Sequence, residues 1–237
     1  MLTPPAVPSP EDEAAEDPAG FRARPRQQRS KARVQKILDT AAELIVRHGR
    51  ANVSALMVAE AAELPVSSIY QYFANMDAVA AALVERAIAN VDAVTLAVAE
   101  TFAPSGDPMQ IVSDMVDAAL GRYEAEPGAI TLILELSHTR AYQETAARSD
   151  AQIAADLAEI LSAALPQLDP ATIRAHTCVA MVMAGAMQLL VWRTPEGPQR
   201  EAVIREWKLT AGARLAALLA EAAQSSDAPA NTRAGAS

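Results

Sequence analysis

The chain has 237 residues, of which 51% are hydrophobic but only 4% aromatic, and its formal net charge is −9. A sizeable aliphatic core is therefore possible, and the low glycine content favours helices. The single cysteine, Cys178, excludes an intramolecular disulfide and a cysteine-rich metal site.

The first 50 residues divide into an acidic segment and a basic one. Residues 1–20 carry five acidic side chains and no basic one, whereas residues 21–50 carry nine basic and two acidic ones. A basic segment on an acidic body is typical of a protein that contacts nucleic acid through one part, although a solvated charge run is the alternative. Repeated prolines predict that residues 1–28 form a disordered arm, acidic and then basic. This start does not resemble a secretory signal, which favours a cytoplasmic protein.

The next segment has the pattern of three helices. Apolar residues spaced by three and four predict an amphipathic helix over about 30–49, ending at a glycine. Ser54 is suited to cap a second helix that reaches about residue 63, and Pro65 is suited to the first turn of a third that runs through Tyr70. A supporting helix followed by two short helices and a tight turn is the helix-turn-helix geometry, in which the second short helix enters the DNA major groove.

Six further helices are predicted, and no segment alternates like a strand. Three pairs of residues have the cap or cap-then-proline pattern of a helix start: Asn75 with Asp77, Asp107 with Pro108, and Asp169 with Pro170. The predicted helices cover about 75–102, 108–126, 129–138, 141–165, 170–193 and 199–223. The fold class is therefore all-α with about nine helices, followed by a disordered tail over 224–237.

The segment from Ser54 to Val79 reads SALMVAEAAELPVSSIYQYFANMDAV. It closely resembles the DNA-binding domain of the TetR (tetracycline-repressor-like) family, whose pattern is a capped helix, a short turn, a recognition helix ending in Leu/Ile-Tyr-x-Tyr/His-Phe, and then Asn-Lys-Asp/Glu. The resemblance covers about residues 30–90. It implies a helix-turn-helix domain over 29–90, with the motif at about 53–72. It also implies a ligand-responsive regulator, usually a repressor, that binds double-stranded operator DNA as a homodimer in the cytoplasm, associated with the nucleoid.

The matched residues have physical reasons to contact DNA. Four side chains of the recognition helix are expected to be exposed and could meet base edges: Val66, Ser67, Ser68 and Gln71. Tyr70 and Tyr72 can hold a ring against protein and offer a hydroxyl to a phosphate, although a half-buried core position is the alternative. Ser54 can cap its helix and present its hydroxyl to a phosphate. The predicted DNA-binding set is Ser54, Ala55, Leu56, Val66, Ser67, Ser68, Tyr70, Gln71, Tyr72 and Met76.

Four positions depart from the family pattern. Glu63 stands where the turn usually has glycine, Pro65 where Ser or Thr caps the recognition helix, and Ser67 where glycine is frequent. Met76 replaces the lysine that usually reaches a phosphate, which predicts lower affinity per subunit. The basic run from 22 to 33 could compensate by lying along the DNA backbone or in a minor groove.

The resemblance further implies that residues 91–223 form an effector-binding and dimerisation domain whose last two helices, 170–193 and 199–223, pack against a second copy. The helix at 170–193 is apolar nearly all round and must be covered on both sides. Its two faces are Ile173, Ala180, Met187 and Val191, and Val179, Met183, Ala186 and Leu190. The last helix has one stripe, made of Ile204, Trp207, Ala211, Leu215, Leu218 and Ala222. An internal bundle core in a monomer is the alternative.

A pocket for an unknown small-molecule effector is expected among the fourth to eighth helices. The candidates are Met115, Tyr123, Leu132, Leu136, Tyr142, Met181 and Gln188, for which plain core is the alternative.

We predict no cofactor, metal or catalytic residue, because the three histidines are scattered and no nucleophile or phosphate-loop motif is found. Residues 175–192 lack charge, but their alanines and polar residues argue against a membrane helix. The rival function is a helical ligand-binding dimer with weak or lost DNA affinity.

Overall fold

The computed structural model describes residues 28–227, and this part of the chain is all-α, as predicted. Its helices are α1 (Gln28–His48), α2 (Ala55–Ala61), α3 (Val66–Tyr72), α4 (Met76–Ala99), α5 (Pro108–Glu124), α6 (Ala129–Leu136), α7 (Arg140–Ala164), α8 (Pro170–Arg193) and α9 (Pro198–Asp227), with a 3₁₀ turn at Arg50–Asn52. The last helix extends past its predicted end at about 223. The predicted N-terminal arm, apart from Gln28, and the tail beyond Asp227 lie outside the described residues.

Side-chain caps fix the starts of the long helices. Asn75 accepts a hydrogen bond from the Ala78 backbone N–H at 2.8 Å, and Asp107 accepts one from Met109 at the same distance. Such caps satisfy amides that have no partner within the helix. Pro65 behaves differently from its prediction, because it precedes α3 as the capping residue with extended ψ of 142° and lies outside the first turn.

A single helix, α4, belongs to both halves of the molecule. Its N-terminal half packs with α1, α2 and α3 into a head, and its C-terminal half packs with α5 and α7 in the larger body. Arg86 of α4 pairs with Asp39 on α1 at 2.7 Å and with Glu126 after α5 at 2.6 Å. The two halves are therefore joined by ion pairs as well as by a shared helix.

A second arginine ties the same two halves together. Arg50, in the 3₁₀ turn, lies 2.8 Å from Asp77 at the start of α4 and 2.8 Å from Glu135 on α6. The start of α6 also touches α1, since a Cβ atom on Gly128 would lie 3.3 Å from the Val46 side chain. Gly128 has φ of +72°, a conformation that glycine adopts without strain. The head therefore contacts both the start of α4 and the body helix α6.

Helix α8 has one buried face and one exposed apolar face. Ile173 and Val191 are buried within the subunit, whereas Val179, Val182 and Leu190 are largely exposed. By length and composition alone α8 could cross a membrane, and 17% of its most apolar window is buried within the subunit. One apolar side of this helix is therefore covered within the subunit and the other is not, so its covering by a second copy stays a prediction.

The predicted stripe of α9 lies inside the subunit. Trp207, Leu215, Leu218 and Ala222 are buried, while Ile204 and Ala211 pack against the core. The stripe was expected to support pairing with a second copy, and that interpretation is wrong because α5 and α8 already cover these side chains. A different residue of this helix, Leu209, is exposed.

Candidate nucleic-acid interface and internal cavity

The turn between α2 and α3 closes without a glycine. The Leu64 backbone N–H donates to Ala59 at 2.9 Å, and the Glu63 N–H donates to Glu60 at 3.1 Å. This pair of bonds is the Schellman arrangement, which needs a left-handed residue after the helix. Glu63 supplies that conformation with φ of +52°, the only positive φ at a non-glycine residue among residues 28–227. The turn keeps its geometry at some conformational cost.

The outer face of α3 is free within the subunit. Val66, Ser67, Tyr70 and Gln71 are exposed, whereas Ile69 is buried against the head. On α2, Ser54 accepts a hydrogen bond from the Met57 backbone N–H at 3.3 Å, so it caps the helix as predicted. A short helix with a polar, exposed face above a small apolar core has the shape required to enter a DNA groove.

Several residues of the predicted DNA-binding set face inward. Ser68 was expected to be exposed, and this is wrong, because it is one turn from Tyr72 and shares that residue's buried face. Tyr72 is 4% exposed and its hydroxyl shares a 2.8 Å hydrogen bond with Ser30 on α1. Ala55 is buried and Met76 packs against the main core, whereas Leu56 is exposed. A core position was the alternative for both tyrosines, and it applies to Tyr72 and not to Tyr70.

The hydrogen bond between Ser30 and Tyr72 brings the start of α1 to the end of α3. The exposed basic side chains at that end of α1 are Arg29, Lys31, Arg33 and Lys36. Positive charge beside an exposed helix face attracts the phosphates that flank a groove. Glu60 and Glu63 carry the opposite charge on α2 and its turn, so the favourable potential is concentrated at the α1 end of the surface.

The body contains a partly open cavity of about 200 Å³. Its walls come from α4, α5, α7, α8 and α9, and most of the lining is apolar, with Met115, Met181 and Trp207 among the larger side chains. A concave apolar space with a few polar groups is the usual form of a small-molecule site.

Five of the seven predicted pocket residues line this cavity: Met115, Tyr123, Tyr142, Met181 and Gln188. Leu132 and Leu136 do not, because α6 lies on the head side of the body. Leu132 is completely buried in the main core, and Leu136 lines a separate cleft beside Arg50. The lining from α9 was not expected, since its apolar stripe had been interpreted as a contact with a second copy.

Acidic groups of the cavity wall were missed by the sequence analysis. Asp92 on α4 and Asp150 on α7 both line the cavity, and Ser149 donates a hydrogen bond to Asp92. Burial, together with the neighbouring Asp92, raises the pKa of Asp150 to about 6. Burial also raises the pKa of Asp92. Asp92 is the one charged residue between Ala87 and Ala99 of α4, and this isolated charge was the available signal.

Other titratable groups share the same wall. Burial raises the pKa of Tyr123 and of Tyr142, so both phenols are neutral donors at ordinary pH. Burial lowers the pKa of His176, and the nearby Arg214 lowers it further, which favours the neutral imidazole. The wall therefore offers neutral hydrogen-bonding groups and two carboxyls. Among residues 28–227 no cluster of metal-ligating side chains is found.

Comparison with known proteins gives matches in both halves of the chain. The sequence pattern described as bacterial regulatory proteins, tetR family, matches residues 37–83. The pattern of the tetracyclin repressor-like C-terminal domain matches residues 107–211. No curated protein sequence matched the chain.

Solved structures with the same fold cover most of the chain. A TetR-family transcriptional regulator from Streptomyces coelicolor is 26% identical with a TM-score of 0.58, over 80% of this chain and 99% of the other. A second regulator of this family, from Pectobacterium atrosepticum, is 18% identical with a TM-score of 0.57, over 83% and 96%. The fatty acid degradation regulator FadR from Bacillus halodurans is 17% identical with a TM-score of 0.53, over 76% and 94%.

Proposed function

The chain belongs to the tetR family of bacterial regulatory proteins, whose members are DNA-binding transcriptional regulators and not enzymes, and from this premise we propose that it is a ligand-responsive repressor. It binds double-stranded operator DNA as a cytoplasmic, nucleoid-associated homodimer and releases the DNA when a small molecule fills the cavity. The observation that carries the proposal is the exposed outer face of α3 beside the basic start of α1.

The side chains on that face divide by their chemistry. Gln71 can donate to and accept from an adenine edge, Ser67 can bond to either kind of base edge, and Val66 can contact a thymine methyl. Tyr70 and Ser54 are placed to offer hydroxyls to phosphates, which position the protein without specifying sequence. Met76 carries no charge and packs against the core, so it does not make the phosphate contact that lysine makes in the family pattern. The basic residues at the start of α1 supply positive charge to the phosphates instead.

The uncovered face of α8 supports the homodimer. Exposed apolar side chains run along the helix from Val179 through Val182 to Leu190, and Leu209 of α9 is also exposed. A helix that is apolar on two sides is stable in water only when both are covered. A two-fold axis lets the same face of a second copy cover it, so α8 and α9 form the proposed dimer interface.

Helix α4 supports the coupling between the two sites. It contributes Asp92 to the cavity wall, and Arg86, two turns earlier, holds α1 through Asp39. A ligand that changes the position of α4 in the body therefore changes the position of the head. A ligand acts in this way only through its different affinity for the two arrangements.

The first test is binding of the full chain to the DNA upstream of its own coding region and to scrambled DNA, by fluorescence anisotropy across a salt series. We expect a preference of about a thousandfold at physiological salt. The variant Gln71→Ala should reduce the preference about tenfold or more, and Gln143→Ala, an exposed glutamine on α7, should leave it unchanged. Loss of all preference in the unmodified protein would instead support the ligand-binding dimer without DNA function.

The second test is the oligomeric state by analytical ultracentrifugation. Val182→Asp places a charge on the exposed face of α8 at a residue that is 65% exposed in the subunit, and we expect monomers. Val46→Asp is the matched control, because Val46 is 60% exposed on α1, outside the proposed interface, and should leave the dimer intact. Dimers in both variants would contradict the proposed interface.

A further inference from the structure

We infer that the effector is a cationic amphiphile, with an apolar body inside the cavity and a protonated amine or amidine between Asp92 and Asp150. The inference rests on the proposed effector role of the cavity. It adds the charge and the chemical class of the ligand, which the shape of the cavity alone does not specify.

The charge of the wall is one-sided. Among the described residues that line the cavity, Asp92 and Asp150 are the carboxylates, and neither Lys nor Arg is present. Ser149 satisfies one oxygen of Asp92. Within residues 28–227 Asp150 has neither a hydrogen-bond donor nor a cation as partner, although it is half-buried. Buried carboxylates are normally paired or hydrogen-bonded, so this one is ready to accept a partner from a ligand.

The rest of the lining suits the apolar part of such a ligand. Methionines and aliphatic side chains from five helices surround most of the space. Tyr123, Tyr142 and Trp207 add aromatic rings, whose faces attract cations. At pH 7 an anionic ligand would meet carboxylates and no lysine or arginine, and the lowered pKa of His176 favours its neutral form, so binding costs free energy in a space of low dielectric. The wall therefore selects for positive charge.

The affinity of the cavity for a cation should depend on pH, because carboxyl groups of its wall can be protonated. The groups facing Asp150 are Asp92 from α4, Tyr123 from α5 and Tyr142 from its own helix, while α9 contributes Trp207 without a titratable group. With the pKa of Asp150 raised to about 6, this carboxyl is ionised at pH 7 and protonated at pH 5. A bound cation is attracted only to the ionised form, so its affinity falls as the pH drops below 6. His176, on α8, gains positive charge over the same range and is checked separately with His176→Gln.

The test compares the binding of three eight-carbon probes to the full-length protein: octylammonium, 1-octanol and octanoate. Binding is followed by calorimetry and by tryptophan emission, since Trp207 lines the cavity. We expect octylammonium to bind about tenfold or more tightly than octanol, and octanoate to bind least. Asp150→Asn and Asp92→Asn should each lower the octylammonium affinity towards the octanol level without changing the octanol affinity. Asp114→Asn, which removes an exposed carboxylate from α5, should retain the preference.

Each outcome decides the inference. Equal binding of the three probes, tighter binding of octanoate, or absence of octylammonium binding overturns it. Persistence of the cation preference in both Asp150→Asn and Asp92→Asn, with melting curves showing folded protein, overturns it as well. Operator binding without any probe tests the proposed function separately. A protein that binds its operator and is released equally by octanol or octanoate keeps the proposed function and loses the cationic effector.

Discussion

Substitution by glycine should have opposite effects on stability at Glu63, in the turn after α2, and at Glu60, within α2. Glu63 has φ of +52° and is exposed, whereas Glu60, three residues earlier, is exposed within α2. Glu63→Gly should stabilise the protein and Glu60→Gly should destabilise it. Because each variant removes one carboxylate from the same surface, the change in net charge is matched, and the backbone conformation alone separates them.

The magnitudes follow from the backbone. An L side chain in the left-handed region costs about 1–2 kcal/mol. Glycine recovers this cost but loses about 0.5–1 kcal/mol through the greater freedom of the unfolded chain. The net gain for Glu63→Gly is about 0.5–1 kcal/mol. Glycine within α2, at Glu60, has no strain to relieve and should cost about 0.5–1 kcal/mol.

The measurement is thermal unfolding of the full chain, with urea unfolding as a check. For a chain of this length, 1 kcal/mol shifts the melting temperature by about 2–4 °C. Glu63→Gly should therefore melt above the unmodified protein and Glu60→Gly below it. If Glu63→Gly melts at or below the unmodified protein, the strain assigned to this turn is refuted. Equal shifts in both variants would show that charge, and not backbone conformation, decides the result.

Three further predictions concern DNA affinity, pH and the joint between head and body. Met76→Lys should strengthen operator binding and steepen the dependence of log affinity on log salt by about 0.9 per subunit, measured by anisotropy. Asp150→Asn should raise the free energy of unfolding by about 1 kcal/mol at pH 7 and by little at pH 4. The raised pKa makes the folded state bind the proton more tightly, so stability falls as pH rises from about 4 to 6, with solvent screening limiting the size. Arg86→Met should lower stability by about 2 kcal/mol in urea unfolding, because Asp39 and Glu126 lose a partner.

The helices were largely predictable from the sequence, and so was the exposure of Val66, Ser67 and Gln71 on α3. Ser54, Asn75 and Asp107 are caps in the structure, because an N-terminal capping residue acts on amides that are two or three residues away. The outward position of Gln71 follows from helical periodicity in the same way. Local rules of this kind need no knowledge of the rest of the fold.

What was missed depends on which faces meet in three dimensions. Ser68 is polar and was expected at the surface, but its place one turn before Tyr72 puts it on the buried side of α3. The apolar stripe of α9 looks the same in sequence whether another helix of the subunit or a second copy covers it. Asp92 and Asp150 lie in the same cavity wall but on two helices that are far apart in the chain, and no spacing rule connects them.

The continuity of α4 has a mechanical consequence. From Asp92 at the cavity to Met76 at the head the helix is roughly 24 Å long at 1.5 Å per residue. A tilt of about 5° at the cavity end would move the other end by about 2 Å over that length. Under the proposed function the helix would therefore act as a lever arm, and a ligand would need to displace its own contacts only slightly to shift α3. In a dimer two such helices, related by symmetry, would move the two heads in opposite directions and so change the spacing of the recognition helices by the sum of both movements.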